Sequence, residues 1–272
     1  MIVSISYEES LELRGIAILM MLWLHCFCSW PSQEFAYISL VWLGNYPLSY
    51  RLTYIAGIVV PLYCFLSGYG LRKKYPFDMN YMKTKICRLL CQNWLVLCVF
   101  LTIGTLINPS YYDLSVESIL SNFIGYNTTY NSTLWFLLPY VLLFLCSPIL
   151  FKIINHKKYL FLSFGLISVL FIMANWVLKL QAQGTIRLLI ISIFIANFFK
   201  ILFPFTLGCI VAHYSVSNKL KDIIRQQRRT VLFILGLVLL LKLFISSYTL
   251  NSFYLIPMVV FWHLLNLNSA TL

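Results

Sequence analysis

Long apolar runs, separated by short polar or charged stretches, follow one another along the 272 residues of the chain. Most of these runs are close to the roughly 20 residues that an α-helix needs to cross the hydrocarbon core of a bilayer. They predict eight membrane spans, at about 11–30, 52–71, 86–107, 134–151, 159–178, 198–214, 231–245 and 252–267. Residues 186–196 are expected to form a bent or interfacial entry to the sixth span. The pattern predicts an all-α, polytopic transmembrane helical bundle, with residues 1–272 as a single integral membrane domain.

The basic residues are concentrated in some of the connections between the predicted spans and are missing from others. Hydrophobic residues make up 61% of the sequence and charged residues only 10%, which excludes a soluble domain of this length. Much of the net charge of +12 lies in three short connections, Arg72–Lys85, Lys152–Lys158 and Lys219–Arg229. The connections Pro31–Tyr50 and Asn108–Thr133 contain no Lys or Arg. Because basic connections stay in the cytoplasm, the N-terminus is expected there too, and the charge does not indicate nucleic-acid binding.

The most specific polar pattern lies in the first apolar run, which contains Arg14 and His25. Ionisable groups are costly in hydrocarbon, so such residues are by default candidates for a functional site. Their separation of eleven residues is about three helical turns, which puts both on one face, about 16 Å apart along the axis. We expect a permanent cation near the cytoplasmic surface and a titratable base deeper in the membrane. The alternatives are that Arg14 only extends to the headgroups and that His25 only hydrogen-bonds a neighbouring helix.

Neither the cysteines nor the longest outer connection predicts a separate site. The pairs Cys26/Cys28 and Cys87/Cys91 lack other soft ligands at zinc-site spacing, so no metal centre is expected. The connection Asn108–Thr133 is rich in Asn, Ser, Thr and Tyr, which can hydrogen-bond a polyhydroxylated ligand. Its composition alone favours a solvated loop.

Five short segments, in order along the chain, carry a resemblance to a known family. They are Glu12-Leu-Arg14-Gly-Ile-Ala-Ile-Leu with His25, Pro61-Leu-Tyr-Cys-Phe-Leu-Ser67-Gly68-Tyr-Gly-Leu, Lys85-Ile-Cys-Arg88-Leu-Leu, Leu134-Trp135-Phe136-Leu137 running on to Ser147-Pro148, and Phe205-Thr-Leu-Gly208. Together they resemble the acyltransferase-3 family of integral membrane acyltransferases, of the type that O-acetylates surface polysaccharides. The chain differs from that family in having Lys85 where an arginine is usual. It also ends after its eighth apolar run, so the resemblance implies a form that lacks the family's C-terminal spans.

The resemblance implies transfer of an acetyl group from cytoplasmic acetyl-CoA to a sugar hydroxyl of a cell-surface polysaccharide or its lipid-linked precursor. It places the protein in a bacterial cytoplasmic (inner) membrane and implies no cofactor, since acetyl-CoA is a substrate. The expected partners are this donor, the glycan acceptor and membrane lipids, without nucleic acid.

The resemblance also implies roles for particular residues. Arg14, Lys85 and Arg88 would bind the donor's phosphates through charge-assisted hydrogen bonds. His25 would act as the general base, since its unperturbed pKa lies near neutrality. Ser67 and Trp135 would position the acceptor, although helix packing for Ser67 and an interfacial anchor for Trp135 are the simpler interpretations. Gly68 is expected to let spans one and two approach closely.

Two other functions stay open from the sequence. An inactive, truncated acyltransferase remnant would share every motif. A transporter of a small solute or proton could also use Arg14 and His25, but such proteins often show paired internal repeats, which this sequence lacks.

Overall fold

The structure is a computed structural model, and it describes residues 5–28, 40–214, 226–246 and 248–266. The helices are α1 (Tyr7–Phe27), α2 (Leu48–Ala56), α3 (Val59–Lys74), α4 (Met79–Ile107), α5 (Val116–Ile124), α6 (Leu137–Asn155), α7 (Lys157–Ala182), α8 (Ile190–His213), α9 (Arg228–Leu241) and α10 (Tyr248–Asn266). Two short antiparallel strands, β1 (Trp42–Leu43) and β2 (Tyr46–Pro47), precede α2. Short 3-10 turns cover Pro109–Tyr111, Ser132–Phe136 and Lys242–Phe244.

The predicted helical membrane fold is confirmed. In the described part of the chain, six helical stretches are long and apolar enough to cross a bilayer, namely Tyr7–Phe27, Leu48–Lys74, Met79–Ile107, Ser132–Asn155, Lys157–Ala182 and Ile190–His213. They coincide with the first six predicted spans. The predicted seventh and eighth spans are also helical, but α9 has only 14 residues and the apolar part of α10 is Leu250–Leu265. A 14-residue helix is about 21 Å long, which is shorter than the roughly 30 Å hydrocarbon core.

The prediction of a bent entry before the sixth span is wrong. Residues 190–196 belong to the same helix as the span, because α8 runs without interruption over 24 residues and contains Pro204. A proline is tolerated inside a membrane helix where neighbouring groups satisfy the backbone that it frees. The helix also continues through Lys200. The ammonium of this lysine is accommodated beside Trp135, 4.6 Å from the centre of the indole ring.

The chain forms two compact units, which are described separately below. Unit 1 comprises Met1–Lys73 and Pro204–Leu272, and unit 2 comprises Lys74–Phe203.

In unit 1, the packing of α3 against the end of α8 depends on two glycines. A Cβ atom at Gly68 would overlap the backbone oxygen of Phe205, and one at Gly208 would overlap that of Phe65. The two backbones are therefore in direct contact, as small residues allow in membrane helices. Residues further along α3 contact residues further along α8, so the two helices run parallel. The predicted second and sixth spans have the same direction.

The two ends of α1 are fixed by different contacts within unit 1. At its start, a capping box joins Ser6 and Glu9: Ser6 Oγ accepts from Glu9 N, and Glu9 Oε2 accepts from Ser6 N. Glu9 Oε1 also lies 2.9 Å from Nδ1 of His263 on α10. At the other end, Trp23 Nε1 donates to the backbone oxygen of Ser49 at 2.9 Å. These contacts hold α1 between α10 and α2.

In unit 2, aromatic rings join the helices. Phe77 lies between α4 and α6, with its ring centre 6.4 Å from that of Phe144 and 6.3 Å from that of Phe151. The Phe203 ring on α8 stacks on Phe171 of α7 at 4.7 Å between ring centres. These contacts pack the helices of unit 2 around aromatic rings, of which Phe144, Phe151, Phe171 and Phe203 are buried.

Candidate functional site

The first helix presents Arg14 and His25 on one exposed face. Ile18 and Leu22, which lie between them on the same face, are 54% and 57% exposed, whereas Leu13 and Ala17, on the adjacent face, are buried. Arg14 and His25 are themselves exposed, and His25 lies in the last turn of α1. Within the described residues the protein buries neither side chain.

Ser67 lies on α3 and is partly buried. One turn earlier on the same helix, the Tyr63 hydroxyl donates to the backbone oxygen of Arg14 at 3.5 Å, so this part of α3 lies beside α1. Gly68, next to Ser67, does provide a close helix approach, but the prediction of its partner is wrong. It contacts the backbone of α8 rather than span one, because Phe205 and Cys209 are its nearest neighbours.

The other two predicted donor-binding cations belong to unit 2. Lys85 and Arg88 are both exposed, three residues apart near the start of α4, and are therefore neighbours on the helix surface. The Tyr81 ring lies 3.9 Å from Lys74 Nζ and 5.7 Å from Lys85 Nζ. Lys85 and Arg88 lie beyond the first turn of α4, which is already capped by the Asp78 carboxylate, so any attraction for an anion comes from their own charges.

Trp135 has a partner that the sequence pattern did not reveal. It lies in the turn that leads into α6, half-buried, with the Lys200 ammonium 4.6 Å from the centre of its ring. A cation at this distance is attracted by the electrons of the indole face. Lys200 had no assigned role from sequence, because its neighbour is 65 positions away and no periodicity links them.

The connection 108–133 in unit 2 is solvated over most of its residues, but it is folded around the helix α5 rather than forming an irregular loop. Asn122 is 1% exposed, and its amide nitrogen donates to Ser118 O and Thr129 Oγ1 while its oxygen accepts from Tyr130 N. The Tyr130 hydroxyl donates to the backbone oxygen of Asp113, and its ring packs on Leu97 and Leu134. The polar side chains that suggested a sugar-binding loop are therefore partly used to hold the loop together.

Asp113 holds the start of α5 in the connection 108–133 through several hydrogen bonds. Its carboxylate accepts from the Ser118 hydroxyl and from both the backbone N–H and the hydroxyl of Ser115. These hydrogen bonds stabilise the ionised carboxylate and so lower the pKa of Asp113 below its usual value. The bond from the Ser118 hydroxyl has the largest effect, followed by those from Ser115.

The inner end of unit 1 contains a second contact that the sequence did not predict. Arg72 Nη2, near the end of α3, lies 2.7 Å from Nδ1 of His213, the last residue of α8. In the sequence, Arg72 begins the first basic connection and His213 lies at the end of the sixth predicted span. The periodicity of a hydrophobic helix does not show which helix it will contact, so the pairing was not visible in the sequence.

No group of three or more His, Cys, Asp or Glu residues that could hold a metal ion occurs in the part of the chain that the structure describes. The candidate chemistry in this part rests on cations, imidazoles and hydroxyls.

The long apolar helices define a multi-pass membrane protein. The chain belongs to the acyltransferase-3 family, since the family's acyltransferase domain model matches residues 9–271. Comparisons with curated proteins and with solved structures give no match. The protein is accordingly a membrane-embedded acyltransferase, with an acyl donor, an acceptor and surrounding lipid as its general partners.

Proposed function

We propose that the protein transfers an acetyl group from cytoplasmic acetyl-CoA to a sugar hydroxyl of a cell-surface polysaccharide or its lipid-linked precursor, in a bacterial inner membrane. The observation that carries the proposal is the exposed face of α1 that bears Arg14 and His25 in a member of an acyltransferase family. A cation and a base on one open face suit a polyanionic donor whose thioester lies away from its phosphates.

In the proposed reaction, His25 takes the proton of the acceptor hydroxyl as the oxygen attacks the thioester carbonyl. The new C–O bond forms an ester, the C–S bond breaks, and the CoA thiolate leaves with its electron pair. The proton on His25 then passes to the thiolate, so the base is regenerated. Transfer through an acyl group held on His25 is the other route, and both routes need this imidazole.

The donor's phosphates would be bound by cations. Arg14, Lys85 and Arg88 would each bind phosphate oxygens through charge-assisted hydrogen bonds. Lys85 supplies a point charge rather than the bidentate fork of an arginine, so Arg88 would make the more directional contact.

The acceptor would be positioned by Ser67 and Trp135. An aromatic ring that stacks on a sugar needs one open face, and Trp135 is only half-buried. Lys200 beside the indole would favour an acceptor that carries a phosphate, as a lipid-linked sugar does.

The experiment is the O-acetyl content of surface glycans, measured by NMR in a strain that lacks this gene. The strain is complemented with the wild-type chain or with the His25→Ala variant, and membrane levels of both proteins are compared. Restoration by the wild type alone supports the proposal. If deletion leaves acetylation unchanged, the proposal is wrong. If deletion removes acetyl groups but the wild-type chain does not restore them, this chain alone does not carry out the acetylation, and the proposal is wrong.

A further inference from the structure

We propose that Arg72 and His213 form a phosphate-binding site at the inner ends of α3 and α8. The phosphate group would come either from the acyl donor or from an anionic lipid headgroup. The first source rests on the proposed function, whereas the second does not.

The position of the pair follows from the glycine contact in unit 1. Cys209 Sγ lies 3.4 Å from the backbone oxygen of Gly68, where α3 and α8 touch. One helical turn further along both helices come Arg72 and His213, with Nη2 and Nδ1 2.7 Å apart. Because the backbones are in contact at the glycines, neither helix can slide without losing this pair.

The protonation of the pair follows from its geometry. A guanidinium is always protonated and has no acceptor, so Arg72 donates and His213 Nδ1 accepts. The imidazole is therefore neutral in this arrangement and carries its proton on Nε2. A neutral imidazole does not cancel the charge of the guanidinium that donates to it, whereas a carboxylate would.

The pair is accessible from the side that the basic connections mark as cytoplasmic. Arg72 is only partly buried and His213 is exposed. Lys73, next in sequence, is exposed but lies outside the pair, with its Nζ 5.8 Å from the centre of the Tyr69 ring. A planar guanidinium with adjacent donors suits the tetrahedral oxygens of a phosphate.

A purely structural role is the competing explanation. Arg72 and His213 lie in the last turns of their helices, where cations interact favourably with the helix dipole. In that case their loss would lower the melting temperature of the protein without a selective effect on phosphate ligands. Stability and binding must therefore be measured on the same variants.

The test uses the full-length protein in nanodiscs. In the first arm, the nanodiscs contain only phosphatidylcholine, and the Kd of coenzyme A is measured by titration. In the second arm, no nucleotide is present, and retention of phosphatidylglycerol over phosphatidylcholine is measured by native mass spectrometry. The variants are Arg72→Gln and Arg72→Lys, with Lys73→Gln as the control that removes an equal charge one residue away.

We expect Arg72→Gln to weaken binding about tenfold or more in one arm, because a charge-assisted hydrogen bond is lost. Arg72→Lys should lie between this variant and the wild type, and Lys73→Gln should change binding less than about threefold. Loss in the first arm identifies the donor's phosphate, and loss in the second arm identifies a lipid headgroup. Either result supports the site.

Equal losses in Arg72→Gln and Lys73→Gln would show general electrostatic attraction and overturn the site. A lower melting temperature without loss of binding in either arm would also overturn it. If the wild type does not bind coenzyme A, the proposed donor is wrong, but selective lipid retention that depends on Arg72 would still support the phosphate site.

Discussion

Three of the family segments lie on α1, α3 and α8, and their structural surroundings differ. In α1, the charged segment lies on an open face, and only Leu13 and Ala17 are buried. In α3, the segment from Pro61 to Leu71 is mostly buried, and Gly68 meets the backbone of α8. The second motif fixes the position of a helix, whereas under the proposed function the first supplies groups for a ligand.

The difference between the two motifs follows from the apolar lipid that surrounds membrane helices. Lipid tails are as apolar as leucine, so close packing rather than burial from water selects helix partners in a membrane. Glycine permits such packing without any chemistry of its own, whereas an arginine or histidine in a span is retained at a cost. A buried glycine and an exposed ionisable residue in neighbouring motifs therefore have separate functions.

The largest effect is expected at His25. His25→Gln keeps a polar side chain but removes a base that is active near neutral pH, so acetyl transfer should fall by about 10²–10⁴-fold. The side chain is exposed, and the melting temperature should stay within the error of the wild type. Transfer at the wild-type rate would exclude His25 as the base.

The next effect is expected at the α3/α8 contact. Gly68→Ala places a methyl group against the backbone oxygen of Phe205, and the strain should cost about 1–3 kcal/mol of stability. Gly70→Ala is the matched control, because a Cβ there meets nothing within 4 Å. Thermal unfolding in detergent, followed by size-exclusion fluorescence, measures both. Equal melting temperatures would show that α3 and α8 are not in backbone contact.

A smaller effect is expected at Arg14. Arg14→Gln should raise the KM for acetyl-CoA about tenfold, since a charge-assisted hydrogen bond to phosphate is lost. The acceptor preference should not change. Lys152→Gln removes an exposed basic residue on the predicted cytoplasmic side and serves as the control. An unchanged KM in Arg14→Gln would argue against a phosphate-binding role for α1.

The smallest effect is expected at Asp113, in the connection 108–133. The depressed pKa of Asp113 means that its carboxylate stabilises the start of α5 above the pKa of the unfolded chain. That contribution is lost as the pH falls below about 4 and the carboxylate becomes protonated. The protection factors of the Ser115 and Ser118 amides, corrected for the intrinsic pH dependence of hydrogen exchange, should therefore fall at low pH. In Asp113→Asn this fall should be absent, and its persistence would point to another group.

Much of the fold could be predicted from hydropathy and loop charge, because both follow directly from the bilayer. The first six spans coincide with long apolar helices, and the parallel contact of α3 with α8 agrees with the predicted directions. The continuity of α8 could not be predicted. Lys200 and Pro204 look like interruptions in sequence, and only the neighbouring Trp135 shows how the lysine is accommodated.

The candidate site was less predictable. The spacing of Arg14 and His25 placed them correctly on one helix face, since that depends on a single helix. The contacts Arg72–His213 and Glu9–His263 join residues that are 141 and 254 positions apart. Lipid-facing and protein-facing sides of a membrane helix are equally apolar, so the sequence pattern alone could not reveal these partners.

The most direct test of the contrast between α1 and the α3/α8 pair measures acetyl-transfer rate and melting temperature on the same purified wild-type, His25→Gln and Gly68→Ala proteins. We predict that His25→Gln loses transfer at an unchanged melting temperature, while Gly68→Ala lowers the melting temperature and loses transfer only as it unfolds. A His25→Gln protein that is destabilised but active when folded, together with a Gly68→Ala protein as stable as the wild type, would contradict the account.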